Sequence, residues 1–215
     1  GRRIVEMVKE DLTPRRIMTR EALRNGIKVS MAMGASTNST LHLPAIAYEG
    51  GIDLSLNDFD ELSREVPYLC NIKPSGRYPL SVLEECGGVP AVMKAIECKL
   101  DLNQMTVTGK TVGENLADVE LVENDVIFPM EHPKRPEGGL AILHGNLAPN
   151  GAVVKQAGVK PSMHYFKGRA RVFTSMEDAS YAVSNDQIHK GDVLVIRYEG
   201  PKGGPGMREM SIPAA

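Results

Sequence analysis

Up to about residue 105 the apolar positions recur at helical spacing and are separated by caps and breakers. Glu6 to Asp11 lie inside a helical approach. Thr13-Pro14 reads as an N-cap followed by proline at the first helical position, where a missing N–H costs nothing. Thr19 opens TREALRNGIKVSMAM, with Ala22, Leu23, Ile27 and Met31 on one stripe, and Gly34 ends it. STLHLPAIAYEGG predicts an apolar helix closed by Gly50-Gly51, with Pro44 awkward inside it. NDFDELSREV places Asn57 as N-cap, acidic residues in the first turn and Pro67 beyond the end. Ser81 is placed to cap VLEEC before Gly87-Gly88, and Pro90 to open PAVMKAIECKL.

Beyond residue 105 the pattern turns to strands. MTVTGK is β-branched, and DVIF, LAILHG, GAVVKQ, ARVFTS and DVLVIRYE are short apolar runs bounded by turn residues. Thr111 and Glu114 form a capping-box pair for a short helix, and Ser175 caps MEDASYAV between two strands. The second part therefore reads as a small β-rich domain with one or two helices.

The chain has 215 residues, 42% apolar and 24% charged, with a net charge of −2. That composition is globular and gives no electrostatic case for nucleic acid or an anionic membrane. No run approaches a membrane span and GRRIVEMVKED lacks a signal-peptide core, so the expected compartment is the cytoplasm or an organelle matrix. The three cysteines, Cys70, Cys86 and Cys98, form no CxxC and read as small half-buried or buried thiols. Both ends break off abruptly against this pattern, which predicts a fragment of a longer chain.

Three polar, glycine-containing stretches interrupt the pattern. MGASTNST, Met33 to Thr40, offers four hydroxyls, an amide and the N–H groups of a helix start. It reads either as capping and a turn or as an anion site. In LHGNLAPNGAVVK, Asn150-Gly151 signals a hairpin. His144 alone says little there, whereas Asn146 is polar without an assigned turn role and Lys155, flanked by apolar residues, must find a partner or solvent. YEGPKGGPGMREM leaves the end of an apolar strand with four glycines and carries Glu199, Lys202, Arg208 and Glu209. Bare backbone at a strand end admits a ligand closely, so this is a site or a structural loop; it is neither a P-loop nor GxGxxG opening a helix.

GASTNSTLHLPAIA, IKPSGRYPLSVLEECGGVPAVMKAI, TVTGKTVGENL, GGLAILHGNLAPNGAVVK and IRYEGPKGGPGMREM, in that order, resemble the dihydroxy-acid dehydratase and phosphogluconate dehydratase family along the whole chain. The resemblance implies an α/β fold: residues 1–104 as the helical tail of an N-terminal α/β domain, and 105–215 as a swivelling, β-barrel-like β/α domain, truncated at both ends. It implies a hydro-lyase that removes water from 2,3-dihydroxy acids to give 2-keto acids, with a branched-chain dihydroxy acid as the leading substrate and a sugar acid as the alternative. A non-catalytic swivelling module is the reading of a different class.

The same resemblance implies an iron–sulfur cluster, [2Fe–2S] or [4Fe–4S], with its ligands outside this chain, and Mg2+. Glu209 matches the family's magnesium glutamate, and Glu199 is the second candidate. Ser36, Thr37 and Asn38 become candidate substrate-facing groups, with Ala35 where the family often has glycine. The family's serine base lies beyond Ala215, so no catalytic residue is assigned and the isolated chain is expected to be inactive. The partners implied are a small-molecule dihydroxy acid and, for the full-length protein, a second copy in a homodimer, with no nucleic acid or membrane.

Overall fold

The computed structural model describes residues 1–34, 36–200 and 210. Contacts divide the chain into two units, residues 1–159 and 160–215. In the described residues helix and strand are mixed, the strands form two two-stranded sheets, and no closed barrel is present among them. The barrel-like part of the expectation therefore has no counterpart in these residues.

The first unit begins with α1 (Arg2–Lys9) and α2 (Pro14–Ile17), the latter carrying proline at its start as expected. Then follow α3 (Arg20–Met33), α4 (Ser39–Gly50) and α5 (Leu56–Glu65). Thr19 caps α3 by accepting from the Ala22 N–H, and Gly34 ends it in the left-handed region at φ 65°. Pro44 does lie inside α4. The start of α5 is not at Asn57. Ser55 is the cap, and Asp58 accepts from its N–H at 3.0 Å. Asp58 is buried and also holds Arg20 and Arg24, so the helix begins where that carboxylate can close its first turn.

α6 (Leu80–Glu85) follows Pro79, whose fixed φ of −69° sets up the helix two residues before Ser81 could cap it. α7 (Gly88–Ala95) starts two residues ahead of Pro90, after Gly87 at φ 95°. α8 (Val112–Leu116) has the Thr111–Glu114 capping box in place. MTVTGK is not a strand. The Thr106 hydroxyl donates to the Lys110 carbonyl and receives the Asn115 amide, closing a tight turn in place of a ladder. Among the described residues DVIF makes only one isolated bridge, Cys70 to Ile127, while burying Val126 and Ile127. β1 (Ala141–Leu143) and β2 (Ala152–Val154) form an antiparallel hairpin, but its connection spans 144–151 rather than a two-residue turn at Asn150-Gly151; the Gly151 N–H, at φ 101°, donates to the Ala148 carbonyl to close its final turn.

The core of this unit joins Ile27 and Met31 of α3, Phe59 and Leu62 of α5, and Tyr68 and Leu140. Gly138-Gly139 brings the entrance of β1 onto the end of α3. The two N–H groups donate to Ser63 O at 2.7 Å and Met31 O at 3.0 Å. A Cβ on Gly139 would sit 2.3 Å from the Gly34 Cα, so only glycine permits this approach.

In the second unit β3 (Arg169–Phe173) pairs in parallel with β4 (Asp192–Ile196), from Arg169 opposite Asp192 to Phe173 opposite Ile196. A parallel pair needs a crossover, and α9 (Met176–Ser184) supplies it, capped by Ser175, which accepts from the Asp178 N–H.

Candidate functional site

The turn between α3 and α4 carries three of the residues singled out in the sequence. Asn38 stands at the N-cap of α4 in the helical region, φ −58° and ψ −27°, and its side chain makes no capping bond. The backbone N–H groups expected to be open at this helix start are taken: Ser39, Thr40 and Leu41 donate to the carbonyls of Ser36, Thr37 and Asn38. The Ser39 and Thr40 hydroxyls donate to the Ser36 and Thr37 carbonyls at 2.9 and 2.7 Å, which knits the turn together. Ser36 Oγ accepts from the Asn38 N–H at 3.2 Å. The Thr37 hydroxyl and the Asn38 side-chain amide have no hydrogen-bond partner among the described residues. Ser39 and Thr40 thus build the turn, and the polar groups it offers are side chains at 36–38 rather than a cradle of amides.

Adjoining this turn through Thr40, which bonds to the Thr37 carbonyl, lies a groove of about 360 Å3 between α4, the entry to α5 and the hairpin, with walls that include Leu41, Pro44, Leu54, Leu56 and Val153. Its two hydroxyls are occupied: Thr40 bonds to Thr37 O, and Ser55 Oγ lies 3.3 Å from Asp58 Oδ2. Among the described residues no charged side chain lines it. On the hairpin, His144 and Asn146 are exposed. Lys155 is half-buried, its ammonium has no partner among the described residues, and burial pulls its pKa below the ordinary lysine value.

In the second unit Glu199 follows β4 and Tyr198, which adopts φ 68°. Its Oε1 accepts from the Met176 N–H at 2.8 Å, placing a carboxylate at the positive end of α9. Glu209, Lys202 and Arg208 lie outside the described residues, so the glycine-rich loop itself is not described. Among the described residues no group of three or more His, Cys, Asp or Glu side chains could hold a metal ion. The cysteines do not fit an iron–sulfur cluster, which needs grouped thiolates: Cys70 is buried and its thiol is pushed up to about 12 by that burial, whereas Cys98 is exposed.

Sequence patterning gave no sign of Tyr68. Its side chain is fully buried, a Cβ on Gly34 would come within 2.4 Å of its ring, and its hydroxyl has no hydrogen-bond partner among the described residues. An isolated tyrosine between a proline and a leucine carries no local signal of that packing. The groove below the turn was equally invisible, because Leu41, Leu56 and Val153 come from three separated segments.

Residues 1–115 match the family model described as dihydroxy-acid/6-phosphogluconate dehydratase N-terminal, and residues 125–215 the corresponding C-terminal model. A relative from Ignicoccus hospitalis named dihydroxy-acid dehydratase is 57% identical over 98% of this chain and 38% of its own length. Relatives of the same name from Halothermothrix orenii and Methanosarcina barkeri are 51% and 53% identical, over 100% and 98% of this chain and 39% of their own length in each case. The chain thus spans about two fifths of the length of these curated relatives. With both models matched in order along the same 215 residues, the chain belongs to the dihydroxy-acid/6-phosphogluconate dehydratase family.

Proposed function

We propose that this chain is part of a hydro-lyase that dehydrates 2,3-dihydroxy carboxylic acids to 2-keto acids, acting as a dihydroxy-acid dehydratase of branched-chain amino-acid biosynthesis. The observation that carries the reading is the 57% identity, over nearly the whole chain, to a relative of that name. A sugar-acid dehydratase is the alternative within the family, since the matched models cover both substrate types.

The reaction removes a C2 proton and a C3 hydroxyl and leaves an enol that tautomerises to the keto acid. In this reading Ser36, Thr37 and Asn38 bind the substrate's oxygens. Thr37 Oγ1 and the Asn38 amide, uncommitted inside the turn, supply neutral donors whose positions are fixed by the Ser39 and Thr40 bonds. No described residue is assigned as the base. The reading gives the complete protein an iron–sulfur cluster held outside the described residues, and Mg2+ with Glu209 as a ligand and Glu199 as the alternative. A carboxylate oxygen is the ligand type Mg2+ takes, and Glu199 would have to serve it while capping α9. The helical part over 1–104 and the swivelling part over 105–215 remain a proposal for the complete protein; that division falls inside the first compact unit. A homodimer and a cytoplasmic or organelle-matrix location belong to the same reading. No helix among the described residues is long and apolar enough to cross a membrane.

The test is turnover by the full-length protein on 2,3-dihydroxyisovalerate compared with 6-phosphogluconate and pentonates. Faster turnover of the branched-chain acid is expected, and preference for a sugar acid would transfer the reading to the alternative. Glu209→Gln in the same protein is expected to abolish Mg2+-dependent turnover; full activity in that variant would remove Glu209 from the metal site.

A further inference from the structure

We propose that the groove beneath the 36–38 turn receives the alkyl end of the substrate and that Leu41 sets the chain length accepted. This rests on the reading of Ser36, Thr37 and Asn38 as groups that hold the substrate's polar end.

Three observations meet at this place. First, Leu41 stands three residues after Asn38, the N-cap of α4, whose carbonyl accepts from the Leu41 N–H, so the two are one helical turn of about 5.4 Å apart, and Thr40, which also lines the groove, bonds to the Thr37 carbonyl. That is the scale of a short acid with its carboxylate at the turn and its alkyl end in the groove. Second, the groove has about 360 Å3, within the range of small-molecule sites. Third, its chemistry is selective. Leu41, Pro44, Leu54, Leu56 and Val153 form apolar walls, no cation among the described residues lines it, and its Thr40 and Ser55 hydroxyls are engaged within the protein. A phosphate or a polyhydroxylated tail would lose its water there and gain nothing in return, whereas a branched alkyl group gains by burial. The groove therefore favours a branched aliphatic dihydroxy acid over a phosphosugar acid.

Leu41 is the position to vary because it is 38% exposed and its replacement leaves the core intact. In the full-length protein, Leu41→Ala widens the groove and Leu41→Phe narrows it. The readout is the ratio of kcat/KM for 2,3-dihydroxy-3-methylpentanoate to that for 2,3-dihydroxy-3-methylbutanoate, which differ by one methylene. A methylene in an apolar pocket is worth roughly tenfold or more. The ratio is expected to rise about tenfold in Leu41→Ala and to fall by a similar factor in Leu41→Phe, with circular dichroism unchanged. Ratios within twofold of the parent in both variants, with parental turnover intact, would overturn the groove assignment. Absence of turnover of both acids by the parent protein would instead overturn the dehydratase reading on which it rests.

Discussion

Replacing Asp58 by alanine removes the carboxylate that ties α3 to α5. Its side chain is 6% exposed, lies 2.5 Å from Arg20 and 2.6 Å from Arg24, and accepts from the Ser55 N–H at 3.0 Å. Taking away one partner of a buried ion pair typically costs about 3–5 kcal/mol, because the remaining charge is stranded. Arg20 is 44% exposed and rehydrates, and Arg24 keeps Glu61 at 2.6 Å, so the lower end applies. A loss of about 3 kcal/mol corresponds to roughly two decades in an opening equilibrium. Amide hydrogen exchange on the full-length protein is the assay, and α3 and α5 peptides are expected to lose about a hundredfold in protection. Asp58→Asn, which keeps an acceptor for Ser55 but not the charge, should fall between. The effect has a defined pH window. Burial pushes the Asp58 carboxyl up, but the Ser55 N–H and the guanidiniums of Arg24 and Arg20 outweigh it and hold the pKa below its ordinary 3.8. With the folded value depressed, the contribution is fully present above 3.8 and is lost as pH falls through the folded value. The gap between parent and Asp58→Ala should therefore close only in that acidic range. A loss of protection under tenfold at neutral pH would refute the argument that this carboxylate holds the two helices together.

Two further outcomes follow from packing. Gly34→Ala puts a Cβ 2.4 Å from the buried Tyr68 ring at φ 65°, so the full-length protein should melt several degrees lower, and an unchanged Tm would show that the ring can move aside. Cys70, with its thiol pushed up to about 12 by burial, should resist iodoacetamide at pH 8 in the native protein and react after denaturation; native labelling would contradict its burial.

Several cap and turn residues act as their local sequence indicates. Thr19 and Gly34 bound α3, Thr111 and Glu114 open α8, Ser175 caps α9, and the turn ending at Gly151 leads into β2, all through groups within a few residues of one another. Misreadings arose where a distant partner decided or where a neighbouring residue competed, as Pro79 does with Ser81 at α6 and Gly87 with Pro90 at α7. Ser55 rather than Asn57 starts α5 because Asp58 is fixed by Arg20 and Arg24 from another helix. Thr106 and Thr108 have strand propensity, yet their hydroxyls close a turn with Lys110 and Asn115. At the candidate site, the polar character of residues 36–38 was visible, but not that Ser39 and Thr40 would consume the nearby carbonyls. The groove was beyond reach, since periodicity describes one segment at a time.

The contact of Gly139 with Gly34 bears on how the chain can be divided. Gly34 lies in the region matched by the N-terminal family model and Gly139 in that matched by the C-terminal one. Leu140 and Ile142 lie in one hydrophobic cluster with Ile27 and Met31. A cut in the gap between the two models would split that cluster and leave each half with an open apolar wound. For anyone trading parts between relatives, residues 1–159 are the piece to move intact, with Gly34 and Gly139 kept as a matched pair.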